Sequence, residues 1–236
     1  MVTTLNGDRR ARFLLLFGVF APITMMVIII VVGQITPDYN AISDTISQLG
    51  TPSSPYAMVL NSSYFAFSLL IGVTAYGFYR RLCYTAMSKT LAVLLGIHAF
   101  GIVLLMVFPD SPDFTGKHFT DDILHNTFSA ISYSALLAGI LVFIRIARHE
   151  QAFKVAIILG LVAIILNLPL PVINMFGPFK PISGLLQRLF IVISFSWLAV
   201  TSLLLYKNHD KMALCRERNL PICRINADGK ARQGTT

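Results

Sequence analysis

Charge is what this chain has least of. Only 13% of its 236 residues are Asp, Glu, Lys or Arg, about half the share near 25% of a soluble domain. With 55% hydrophobic residues, a water-facing globular domain is excluded. Cysteine is scarce too. Cys215 and Cys223 stand eight apart without partner histidines at metal spacing, and with Cys83 they fall on the side expected to face the reducing cytoplasm. A disulfide framework and a cysteine-based zinc site are thereby excluded. No internal repeat aligns the two halves. Acids are outnumbered 11 to 19 by bases, for a net charge of +8. Such an excess invites a nucleic-acid reading, but its placement follows membrane insertion and an anionic inner leaflet, so nucleic acid is not an expected partner.

Long apolar runs are what remains. Six cover roughly 13–33, 57–79, 90–108, 125–146, 154–176 and 187–206. Each has about 20 residues, enough at 1.5 Å per residue to cross a hydrocarbon core of ~30 Å. Of the 19 Lys and Arg, only Lys117, Lys180 and Arg188 lie outside the N-terminus, the second and fourth connections and the C-terminal tail. The positive-inside rule then places both termini in the cytoplasm. The first run follows Arg9, Arg10 and Arg12, which mimics a signal peptide. It is longer than an h-region and lacks a small-residue cleavage site after it, so it is read as a membrane helix. The expected organisation is a cytoplasmic N-terminus (1–12), a six-helix transmembrane domain (13–206) and a basic cytoplasmic tail (207–236). The fold class is all-α, a polytopic bundle in the cell membrane with a short outer interfacial helix.

That short helix belongs to the first outer connection. Ile42, Ile46 and Leu49 recur at four and then three residues, Gly50 offers a stop, Ser43 an N-cap, and Asp44 a favourable first-turn charge. A helix over 43–49 is expected, with the three apolar residues turned toward the bundle. Phe108-Pro109 ends the third span. Pro169 and Pro171, beside Asn167 and Asn174, predict a kinked or broken fifth helix, tolerated where it lines a cavity.

Chemistry has few carriers. His118, Asp121, Asp122 and His125 share one face if helical, and two imidazoles with two carboxylates suit Zn²⁺ or a similar divalent ion. Acids in the first turn of the fourth helix are equally explained by the helix dipole. His125 enters an apolar span, where ionisable groups face cavities or partners. Arg188 stands on an acidic outer side. It either pairs with Asp44, Asp110 or Asp122, or clamps a ligand phosphate or carboxylate bidentately. His98, midway along the third span, is either a satisfied packing residue or part of a pathway. Asn61, Ser62, Ser63, Ser68, Ser129, Ser132 and Ser134 suit interhelical hydrogen bonds.

The stretch Tyr39-Asn40-Ala41-Ile42-Ser43-Asp44-Thr45-Ile46-Ser47-Gln48-Leu49-Gly50 is joined by Phe108-Pro109-Asp110, His125 and Gly184-Leu185-Leu186-Gln187-Arg188-Leu189. Together they resemble the bacterial and archaeal membrane family DUF998, across all six spans. The resemblance implies that Asp44, Pro109, His125 and Arg188 are the positions to carry over. His118, Asp121 and the tail after Lys211 lie outside that pattern. A looser, fold-level likeness exists to the CREST membrane hydrolases, although this chain lacks their further histidine pair.

The expected site is an outer polar cap. His125 and Asp44 are its candidate catalytic groups, and Arg188, Asp110 and Ser43 its ligand-binding groups. An anionic headgroup would sit at Arg188, with His125 oriented by Asp44 or Asp122. The leading function is binding of a lipid headgroup or similar amphiphile, with hydrolysis as its catalytic form. A non-catalytic scaffold or partner subunit is the alternative. A small-solute transporter comes third, because only His98 supplies an ionisable group at the midplane. A reporter active only outside the cytoplasm, fused after Thr236, should be silent; activity there would overturn the orientation.

Overall fold

The computed structural model describes residues 2–82, 85–110, 119–167 and 181–208, with side chains for all of these except 2–10 and 119–122. Among the described residues the regular structure is helical and there is no strand. The helices are α1 (Val2–Ile35), α2 (Ala57–Arg81), α3 (Ala86–Val107), α4 (Phe119–Ala147), α5 (Lys154–Asn167) and α6 (Ser183–Lys207). Short 3-10 turns occupy Ile46–Gly50 and Gln151–Phe153.

Long runs of Leu, Ile, Val, Phe and Ala leave the backbone no polar partners except its own, which favours continuous helices in an apolar solvent. Five helices are long and apolar enough to cross a membrane: Ala11–Ile35, Ala57–Arg81, Ala86–Val107, Ile123–Ala147 and Ser183–Lys207. Their most apolar windows have mean hydropathies from 1.5 to 2.8. The fifth expected span is represented by α5, whose 14 residues reach about 21 Å, short of a ~30 Å core. The rest of that span, with Pro169 and Pro171, lies outside the described residues.

Each helix packs against its neighbours in sequence, and α1 closes the ring against α6. The helices are apolar on both faces. On α1, Leu15, Met25 and Ile29 are buried while Phe13, Phe20, Val27 and Ile30 are exposed. So continuous an apolar exterior does not suit water. Small residues bring the helices together, as is usual in membranes. A Cβ on Gly160 of α5 would come within 2.7 Å of Ile140 and 3.2 Å of the Trp197 indole nitrogen.

The connection between α1 and α2 is folded down onto the start of α6. After α1, Pro37 cannot extend the helix and Asp38 turns the chain at φ 57°, a conformation that Asp tolerates better than most residues. Local side-chain bonds then shape 40–44: the Ile42 N–H donates to Asn40 Oδ1 (3.0 Å) and the Asn40 N–H to Asp44 Oδ2 (2.8 Å). These bonds compete with helix formation. The expected 43–49 helix is therefore a shorter 3-10 turn beginning at Ile46, preceded by Thr45 rather than capped by Ser43. Ile46 and Leu49 are buried as expected, whereas Ile42 is exposed.

The loop also caps α6. No side chain caps that helix; instead the Leu185 N–H donates to the Ile42 carbonyl at 2.9 Å, satisfying one of its orphan N-terminal donors. Ser183 Oγ donates to the Ser43 carbonyl (2.7 Å), and Gln187 Oε1 accepts from the Ile46 N–H (2.6 Å). Gly184 makes this approach feasible, because a Cβ there would lie 2.1 Å from the Asp44 carbonyl oxygen and 2.9 Å from that of Ala41. Both neighbours are backbone and cannot swing aside. Gly184→Ala is expected to cost about 1–3 kcal/mol through overpacking and to lower Tm by roughly 3–10 °C. An unchanged Tm in a thermal unfolding assay would refute this tight seat.

Candidate functional site

Arg188 stands one turn after Gly184 on α6. Its Nη1 donates to the carbonyls of Ala41 (2.8 Å), Asp44 (3.0 Å) and Gly184 (3.0 Å), and its Nη2 donates to the Tyr39 hydroxyl. That hydroxyl in turn donates to the carbonyls of Asp44 (3.1 Å) and Thr45 (3.0 Å). Burial raises the Tyr39 pKa above its ordinary value, while the Arg188 hydrogen bond acts against the rise. Arg188 is thus a clasp on the loop, held by carbonyl oxygens rather than by the carboxylates expected from sequence. It meets Asp44 through the backbone. The Asp44 carboxylate accepts from the Asn40 N–H and from Ser43 Oγ (2.9 Å), so Ser43 and Asp44 serve the loop's own geometry.

His125 and Asp110 are placed differently. His125, on α4, is buried, and its Nδ1 lies 2.8 Å from the carbonyl oxygen of Phe108 at the end of α3. A carbonyl only accepts, so Nδ1 carries the proton and the neutral ring keeps its lone pair on Nε2. Among the described groups this carbonyl orients His125; of the two carboxylates expected from sequence, Asp44 does not, and the Asp122 side chain lies outside the described ones. Asp110 Oδ2 accepts from Ser47 Oγ at 2.9 Å, which ties the end of α3 to the loop. Asn61 of α2 donates from Nδ2 to the Gly50 carbonyl at 3.0 Å.

These contacts ring the mouth of a cavity of about 60 Å³ between α2, α3, α4 and α6. A single water needs about 10–15 Å³ by this measure, so there is room for several waters or a small polar group. Ser47, Asn61, Asp110, His125 and Gln187 supply the polar rim. Asp44 and Arg188 do not line it; they hold the loop that forms one of its walls. The rim is rich in acceptors, the Asp110 carboxylate and His125 Nε2 foremost.

The four-group metal set is not assembled by the described residues. His118 lies outside them, and Asp121 and Asp122 fall in the first turns of α4, where side chains are not described. His125 alone of the set lines the cavity, and no group of three or more His, Cys, Asp or Glu suited to a metal occurs among the described residues.

Of the serines expected to bond between helices, two do otherwise. Ser63 and Ser68 donate back to the carbonyls of Val59 and Tyr64 in their own helix. Ser132 does bridge helices, bonding His98 of α3. Gln187, Ser47 and Tyr39 lie inside the quoted motifs but are unremarkable residue types. Their roles follow from what the loop touches.

The motif stretches 39–50, 108–110, 125 and 184–188 thus form one hydrogen-bonded unit. A family model described as a protein of unknown function (DUF998) matches residues 19–204. The chain belongs to DUF998. No curated protein and no solved structure matches it. Its DUF998 region takes in all four stretches, three of the five long apolar helices whole and most of the first and last, and the protein is a multi-pass membrane protein. Within that region Arg188→Lys is expected to loosen the loop. An ammonium is a single point of three donors and cannot span four acceptors in the plane of a guanidinium. Amide hydrogen exchange over 39–50 should rise at least several-fold; unchanged protection would show that charge alone suffices.

Proposed function

We propose that this protein crosses the cell membrane six times with both termini in the cytoplasm, and that its outer cavity binds the polar headgroup of a membrane amphiphile. The observation that carries this is the convergence of Ser47, Asp110 and His125, from three separate stretches, at one cavity mouth. Orientation rests on the distribution of Lys and Arg. The headgroup class follows from the rim. Arg188 already faces four acceptors, so it is not the anion clamp expected from sequence. The groups turned to the cavity are mostly acceptors, and they favour a head carrying hydrogen-bond donors, such as an ammonium or hydroxyls. His125, with Nε2 bare, is the acceptor that reads that donor, and it is the group that would act as base in a hydrolytic version of the site. Arg188, Asp44 and Ser43 act by positioning the loop.

The test is ligand-dependent stability of the purified protein in neutral detergent. Phosphatidylethanolamine, with its ammonium, should raise Tm by several degrees at saturating lipid, more than phosphatidylglycerol does. The preference should vanish in His125→Ala and Asp110→Asn. Equal effects of the two lipids, or a preference that survives both substitutions, would overturn the site and favour the non-catalytic scaffold.

A further inference from the structure

The cavity does not stop at its rim. His125, Ser129 and Tyr133 line it along α4, and Gln187, Ile191 and Phe195 line it along α6. Each set recurs every fourth residue, so one face of each helix borders the cavity for two turns, about 12 Å. At the far end is His98, 3% exposed and midway along α3. Its ring lies 6.1 Å from that of Tyr133.

His98 is fixed as His125 is fixed. Its Nδ1 lies 2.9 Å from Ser132 Oγ and 3.1 Å from the Ser132 carbonyl oxygen. Ser132 Oγ donates its own proton to the His98 carbonyl at 3.0 Å. Both Ser132 oxygens therefore accept, so Nδ1 bears the proton and Nε2 is bare. Gly101 lets α4 come this near, since a Cβ there would sit 2.6 Å from that of Ser132. The two histidines are reciprocal: His125 of α4 bonds a carbonyl at the end of α3, and His98 of α3 bonds a carbonyl of α4. Among the described residues, His98 Nε2 and the Tyr64 and Tyr133 hydroxyls have no protein hydrogen-bond partner, and all three residues line the cavity. Unpartnered polar groups around room for several waters make a wet cavity rather than a dry one. Phe195, the last α6 residue along the cavity, packs its ring against that of Phe67 (4.8 Å, tilted by 33°), and one turn beyond His98 and Ser132 the α3–α4 interface holds the buried Leu95 and Leu136.

We propose that His98 is a proton-binding site in mid-span, filled and emptied by water from the outer mouth alone. The proton of a hydronium passes to Nε2 and leaves a water behind. The Nδ1–H bond to Ser132 is kept, and the new Nε2–H finds the oxygens of water, Tyr64 or Tyr133. The groups facing this site are Tyr64 from α2, Tyr133 and His125 from α4, and Asp110 at the rim; the α6 wall contributes the uncharged Gln187, Ile191 and Phe195. No described Lys or Arg lines the cavity, and the Asp110 carboxylate favours a proton below it. Proton binding at His98 needs no ligand at the rim.

The test needs no added ligand. Protein labelled with nitrogen-15 in its imidazole rings, in nanodiscs of phosphatidylcholine, is followed by NMR from about pH 8 to about pH 3.5, a range that extends well to the acid side of the usual imidazole value of about 6.5. His98→Gln assigns the signal. Expected are a bare Nε2 at high pH, magnetisation transfer from water to the ring, and protonation of Nε2 as the pH falls. In Asp110→Asn the midpoint should drop by several tenths of a pH unit, the effect of removing one negative charge twelve residues further along the chain, about 18 Å at helical rise, at an effective dielectric of about 20. A His98 ring with no transfer from water and no titration in this range would overturn the site. An unchanged midpoint in Asp110→Asn would overturn its connection to the outer mouth.

Discussion

Arg188 and the loop it holds are the constraint on which the cavity-bearing half of this protein depends. A loop that lies against a membrane protein must satisfy its carbonyls without a regular ladder. Here a single guanidinium engages those of Ala41 and Asp44 together with the helix carbonyl of Gly184. Charge-assisted bonds of this type contribute about 1.5–3 kcal/mol each. Gly184 provides the space and Arg188 the donors, one turn apart on the same helix. With the loop seated, Ser47 reaches Asp110 and Gly50 reaches Asn61, and the cavity acquires its outer wall.

The α3–α4 interface is the second organising contact. Two histidines, one from each helix, bond across it to carbonyl oxygens at two depths. Each bond has two consequences. It satisfies a buried polar group, which membrane interiors require, and it fixes a tautomer whose remaining nitrogen is an acceptor. The cavity is thus lined by imidazole nitrogens of known polarity. Such an interface explains how a chain with so few ionisable residues keeps two histidines inside its bundle, each bonded to a carbonyl oxygen.

Helical class and membrane placement were legible from residue types alone. Long apolar runs have one stable outcome in hydrocarbon, because backbone groups must bond within their own segment, and the scarcity of charge left no other solvent for the exterior. The end of α3 at Phe108-Pro109 and the burial of Ile46 and Leu49 were equally local matters of proline chemistry and apolar spacing. Even the residues of the outer unit were visible as a set, since Asp44, Asp110, His125 and Arg188 are among the few polar groups near the outer ends of the helices.

Their division of labour was decided by the tertiary structure. Arg188 among acids reads in sequence as a partner for carboxylates or anions. Its actual partners are carbonyls, and every residue has one, so residue identity carries no sign of it. Asp44 reads as a catalytic carboxylate, yet its oxygens are occupied by Asn40 and Ser43 nearby. The 43–49 segment has helical spacing, but Asn and Asp side chains bonding the local backbone shortened it to a 3-10 turn. Tyr64 and Tyr133 carry no motif, and they become part of the cavity only because four helices bring them to one axis. Sequence determines what a segment does with its own backbone and its solvent. Which polar atom is left facing a cavity depends on partners in other elements, from 17 to 141 residues away, and only the packed bundle selects them.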